Sequence, residues 1–159
     1  MIRKATALSL TGVLLLAIAA PAAMALTRDE YKAKVEPICK KNSEANDKIL
    51  KTVRKEVKEN KLKPAGAKFI KASNALKATY NELKAVEQPA EDAAKLTKWL
   101  GYVKTEADLF KSGGKALKAG NKKKAQKFVN QLNSNANKAN STVLAFGFKY
   151  CKFEPSKYT

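Results

Sequence analysis

Three observations predict an all-α protein, an up-down-up-down four-helix bundle closed by one disulfide. Apolar residues recur every three or four positions along most of the chain, start and stop residues cut that pattern into four segments, and the two cysteines, Cys39 and Cys151, stand near its opposite ends. No strand-like alternation and no internal repeat competes with this pattern.

The first 25 residues stand apart. They contain no acid, begin with Arg3 and Lys4, continue through an apolar run from Ala5 to Ala20, and end on Ala23-Met24-Ala25, with small residues where a signal peptidase reads. This is the three-part pattern of a cleaved secretory signal, and the run is short for a membrane span. Leu26 and Thr27 follow where an acylated cysteine would stand, so no lipid anchor is expected. Residues 26–159 are expected to form a single exported domain, extracellular, periplasmic or associated with the cell envelope. Cysteines in such a compartment usually pair, and Cys39 and Cys151 would close a loop spanning 112 positions.

The first helix opens at Thr27-Arg28-Asp29-Glu30, a capping box. Tyr31, Val35, Ile38, Asn42, Ala45, Ile49 and Val53 then share one stripe, with lysines on the other faces. Pro37 removes a backbone donor, so a kink or a fresh start is expected near it. Asn60-Lys61 ends this segment and Pro64 suits the first turn of the second helix, whose stripe is Phe69, Leu76, Tyr80 and Leu83.

Gln88-Pro89 breaks the second helix. Pro89-Ala90-Glu91-Asp92 opens the third, with acids where the helix dipole is positive. Its buried stripe is Leu96, Trp99, Val103, Ala107 and Phe110, whereas Leu100 and Leu109 lie off the stripe and are expected on the surface. Gly113-Gly114 is expected to form a bend or flexible turn before Leu117. Gly120 stops it and Asn121 caps the fourth, which buries Ala125, Phe128, Val129, Leu132, Ala136, Ala139, Val143 and Phe146. Gly147 then suits a left-handed helix end. The up-down-up-down order sets the start of the first helix beside the end of the fourth, which is where the cysteines lie.

The ending Ala139-Asn140, then Ala145-Phe146-Gly147-Phe148 and Cys151, with the early Cys39 and a proline-led third helix, resembles a group of small secreted bacterial helical-bundle proteins of unknown function. The resemblance covers most of residues 26–159 and implies a fold and a disulfide. It brings no catalytic residue with it.

The chain has no histidine, and its two methionines, Met1 and Met24, fall in the leader. Nucleophiles served by a histidine base, histidine-containing di-iron bundles, and His- or Met-ligated haem therefore cannot be assembled. With both cysteines paired, a zinc site of nitrogen and sulfur ligands fails too. Three pairs of acids lie close in sequence: Glu91 with Asp92 read as helix-start residues, Glu56 with Glu59 as surface ion-pair residues among lysines, and Glu106 with Asp108 are the third near pair. The expectation is a non-enzymatic protein with no cofactor and no metal.

Charge is the positive signal. Without Arg3 and Lys4 there remain 30 basic residues against 14 acids, a net of +16. From Lys111 onward, 11 lysines face one acid, Glu154. Lys104, Lys111, Lys115 and Lys118 fall in one arc of the third helix, and Lys122, Lys123, Lys124 and Lys127 open the fourth. This face is expected to associate with an anionic envelope polymer or membrane surface. Lysine without arginine, beside aromatics assigned to the core, does not suit sequence-specific nucleic-acid readout. An alternative site lies inside. Asn42, Ala45 and Asn46 of the first helix should meet Ala139 and Asn140 of the fourth, where small and polar side chains leave room for an inter-helix pocket that holds a small ligand or a partner's side chain.

Overall fold

The computed structural model describes residues 26–158; the leader reading of residues 1–25 lies outside the described residues. Helices α1 (Arg28–Leu50), α2 (Val53–Lys58), α3 (Leu62–Lys84), α4 (Ala93–Lys118) and α5 (Lys122–Thr142) follow in order, with no strand among the described residues. The four long helices pack against one another as a bundle, and Cys39 and Cys151 form the disulfide. No helix among the described residues is long and apolar enough to cross a membrane.

Local chemistry sets the helix ends. Thr27 accepts the Glu30 amide through its hydroxyl, and the Glu30 carboxylate accepts the Thr27 amide at 2.8 Å, so the capping box is complete. Asn121 caps α5 by accepting the Lys124 amide at 2.8 Å, after Gly120 turns the chain at φ 75°. Gly147 ends the helical run past α5 at φ 57°.

Five expectations need correction. α1 runs through Pro37 without a fresh start, because Pro37 and Ala33 are both exposed and the carbonyl freed by the missing donor faces solvent. The break falls at Lys51–Thr52. The buried stripe of α1 is Tyr31, Val35, Cys39, Asn46 and Leu50, rotated from the expected one so that the disulfide cysteine points inward. α4 makes no turn at Gly113-Gly114 but runs through both as one continuous helix, with the two glycines buried. Leu100 belongs to the core, at 6 % exposure: α4 lies between α3 and α5 and needs apolar faces toward both.

The fifth concerns the seam between the outer helices. α3 packs on α4, α4 on α5 and α1 on α3, but α1 and α5 barely meet. Segment 143–158 fills the gap. Phe146 packs edge-on against Tyr31, Phe148 lies 5.5 Å from Trp99, and Cys151 reaches Cys39. The Glu36 carboxylate accepts the Lys149 and Tyr150 amides, and Tyr158 donates to Asp47. On the other side the Asn140 amide both donates to the Phe153 carbonyl and accepts its N–H, each at 2.9 Å. The segment thus runs parallel to α1 and antiparallel to α5.

At the end of the bundle near Thr27, Arg28 grips Asp92 with two hydrogen bonds, at 2.8 and 3.0 Å, and its guanidinium sits 4.9 Å from the Phe146 ring centre. The guanidinium holds the Asp92 carboxyl below its usual range.

Candidate functional site

The expected lysines divide by place. Lys104 is half-way along α4 and pairs with Asp108 at 3.0 Å. Lys111 is exposed on the same helix about two turns before the far end. The other six gather at the pole where α4 turns into α5. Lys115 and Lys124 share a shallow depression across the α4–α5 seam, and Lys123, Lys124 and Lys127 surround Phe128. Lys118 faces Lys61 and Lys63 of the α2–α3 turn. Lys122 and Lys58 rim an apolar groove between α2 and α5.

Sequence reasoning had not enlisted Lys58, Lys61 and Lys63, because they sit about sixty positions earlier and join the pole only through the antiparallel packing of α3 and α4. Phe128 was assigned to the core but is half-buried among the lysines. Glu56 and Glu59 are the nearby acids, and both are engaged: Glu56 with Lys68, Glu59 with Lys61 at 2.8 Å and with Lys55. Among the described residues, Lys115, Lys118, Lys122, Lys123, Lys124 and Lys127 have no acidic partner.

The inner candidate residues also separate. Asn42 and Asn46 border a partly open cavity of about 60 Å³ between α1, α3, α4 and the segment from Tyr150 onward. Ala45, Ala139 and Asn140 do not border it, since segment 143–158 stands between α1 and α5 and takes up Asn140. The wall that sequence reasoning missed comes from α4: Trp99, Val103, Glu106 and Phe110 lie on one stripe and all border the cavity. The spacing is visible in the sequence, but nothing in the near pair Glu106 and Asp108 tells which carboxylate faces inward.

Glu106 is in fact 1 % exposed. Its carboxyl oxygen accepts the Asn135 side-chain N–H at 2.6 Å, and that amide also donates to the Tyr102 carbonyl at 3.0 Å. Burial pushes the Glu106 carboxyl up to about 7, against the pull of Asn135. Asp108, its neighbour in sequence, faces solvent with Lys104 instead. Asn46 donates to Asn42 at 3.3 Å, while its own Oδ1 is buried without a protein partner. The Trp99 indole N–H is likewise buried and unpartnered. Each such group costs roughly 1–3 kcal/mol if left unpaired.

No family model matches the chain, and neither a curated protein nor a solved structure is found similar to it.

Proposed function

We propose that this protein acts without catalysis, binding an anionic polymer of the cell envelope through the basic pole at the α4–α5 turn. The observation that carries the reading is convergence: lysines from the α2–α3 turn, the end of α4 and the start of α5 meet at one end of the bundle, and its two acids are already paired. Unpaired like charges crowded on one surface raise its potential, and a polyanion lowers it. At an anionic surface each lysine contributes about 1 kcal/mol, fading over a Debye length of about 8 Å at physiological salt. Lysine ammonium groups act as hydrated point charges, so the attraction is salt-sensitive and tolerant of the partner's sequence. The disulfide suits an oxidising compartment, which makes envelope polymers the natural partners of this reading.

Heparin-column retention under a salt gradient tests it. Retention beyond physiological salt, lost when Lys118, Lys122, Lys123 and Lys124 are changed to Glu, is the expected result. Flow-through at low salt overturns the reading.

A further inference from the structure

We propose that the apolar groove between α2 and α5 is a binding site for a single-chain lipid with an anionic headgroup, taken up as a monomer. The groove follows from the way the bundle is closed. Segment 143–158 fills the space between α1 and α5 down to Tyr158, which borders the groove. From there toward the basic pole, α2 packs on α3 rather than on α5. The space left between α2 and α5 is about 380 Å³, floored by the buried Phe69 and Leu117. Its walls are Val53 and Val57, one turn apart on α2, and Ala125 and Val129, one turn apart on α5. Val129, expected in the core, is half-buried at this wall instead.

The groove is polar at its edges and apolar within. Arg54, Lys58, Lys122 and Gln126 border it and are exposed, whereas the walls and floor are buried or half-buried. α2 runs toward the pole and α5 runs away from it, so Lys58, the last residue of α2, and Lys122, the first of α5, mark the pole end. Val129 lies two turns further along α5, about 10 Å away. Neither lysine pairs with an acid, and among the described residues that border the groove there is no acid. Arg54, nearer the other end, donates to the Ser156 carbonyl at 2.7 Å.

These features select one occupant. An apolar chain suits walls that offer no hydrogen bond, and an anionic end meets the two ammonium groups at the pole. A peptide laid along the same walls would bring a backbone N–H and carbonyl at each residue, which valine and alanine leave unpaired. A cationic amphiphile is repelled by the same lysines. A second copy of this chain would bring 30 basic residues against 14 acids, over residues 26–159, to a positive rim. The site is separate from polymer binding at the pole, with which it shares Lys58 and Lys122.

Equilibrium dialysis with radiolabelled decanoate, kept below its micelle concentration, tests the assignment. One molecule per chain is expected to bind saturably, with half-saturation on the order of tens of micromolar. Octanoate, shorter by two methylenes, should bind about 15-fold more weakly. Decanol should bind roughly 10-fold more weakly, for want of charge, and decyltrimethylammonium should not bind. Val129→Glu should abolish binding, and Lys58→Glu combined with Lys122→Glu should weaken it by roughly 10-fold or more. Lys138→Glu, exposed further along α5, should leave it within about 2-fold. No saturable decanoate binding, several molecules per chain, equal binding of the three decyl compounds, or undiminished binding in either folded variant overturns the proposal. Attachment to phosphatidylglycerol vesicles without binding of monomeric decanoate overturns it too, in favour of a membrane contact. The lysine pair, at exposed positions, decides if Val129→Glu does not fold. Heparin flow-through with decanoate bound overturns polymer binding alone, and heparin retention without decanoate binding overturns the lipid site alone.

Discussion

Gly66 of α3 and Gly114 of α4 meet backbone to backbone: a methyl group on Gly66 would stand 2.5 Å from the Gly114 carbonyl oxygen, and one on Gly114 would stand 2.7 Å from that of Gly66. No other residue type fits at either position. The two central helices therefore cross at closer range than side chains allow. This contact, rather than flexibility, accounts for a glycine pair inside a helix.

Gly114→Ala is expected to destabilise the protein by about 1–3 kcal/mol, because the new methyl meets carbonyl oxygen and the Ile70 side chain at 2.8 Å with no room to relax. Gly101, on the same helix, is exposed with nothing near its vacant Cβ position, so Gly101→Ala should stabilise by up to about 1 kcal/mol. Opposite shifts in a urea midpoint check the pair.

Glu106 sets a pH dependence whose sign is opposite to that of an ion-paired acid. Its folded value of about 7 lies above the ordinary 4.5, so between these values the folded state holds a proton that the unfolded state has lost. Stability should fall as pH rises from about 4.5 to about 7, by up to about 3 kcal/mol from this group. Glu106→Gln keeps an acceptor for Asn135 and should flatten that part of the curve. Equal slopes for the two proteins across this window would refute the assignment.

Replacing both Cys39 and Cys151 with Ser is expected to cost up to about 4.7 kcal/mol, the chain-entropy value for a loop of about 100 residues. The far-UV helical signal should stay close to that of the native protein, since the bond joins α1 to the segment after α5 and each helix is held by its own backbone hydrogen bonds and by packing on its neighbours. Trp99 emission should move to the red as Phe148 loosens from it. Complete loss of helix on mild reduction would contradict this arrangement.

Asn140→Ala removes both hydrogen bonds to the Phe153 backbone and leaves that backbone unserved, at an expected cost of about 1–3 kcal/mol. Limited proteolysis should then cut within residues 152–158 faster than in the native protein, while heparin retention stays unchanged. A parallel loss of retention would mean that the basic pole depends on this segment.

Much of the bundle was readable because periodicity and caps act locally. The Thr27 box, the Asn121 cap and the α4 stripe through Trp99 and Phe110 each depend on neighbours within a few positions. What escaped depends on which helices become neighbours. Leu100 and Gly114 gain their meaning from α4 being central, and Glu106 is buried because α5 supplies Asn135 to receive it. Asn140 was rightly noticed as polar on an inward face, yet its partner is the Phe153 backbone, which has no side-chain signature. The lysine pole was half visible: its α4 and α5 members are consecutive, while Lys58, Lys61 and Lys63 arrive through tertiary packing.

The wedge between α1 and α5 also orders events in time. Its contacts with α1 join residues more than 100 positions apart, such as Glu36 with Tyr150 and Asp47 with Tyr158, whereas α3, α4 and α5 meet through short connections. Loop-closure entropy favours the α3–α4–α5 hairpins early, and α1 can complete its side of the core only when the segment following α5 has been made. During synthesis Tyr31, Val35 and Cys39 must wait with their apolar face unfilled. A chaperone that shields that face, or an oxidase that holds Cys39 until Cys151 emerges, would act in that interval.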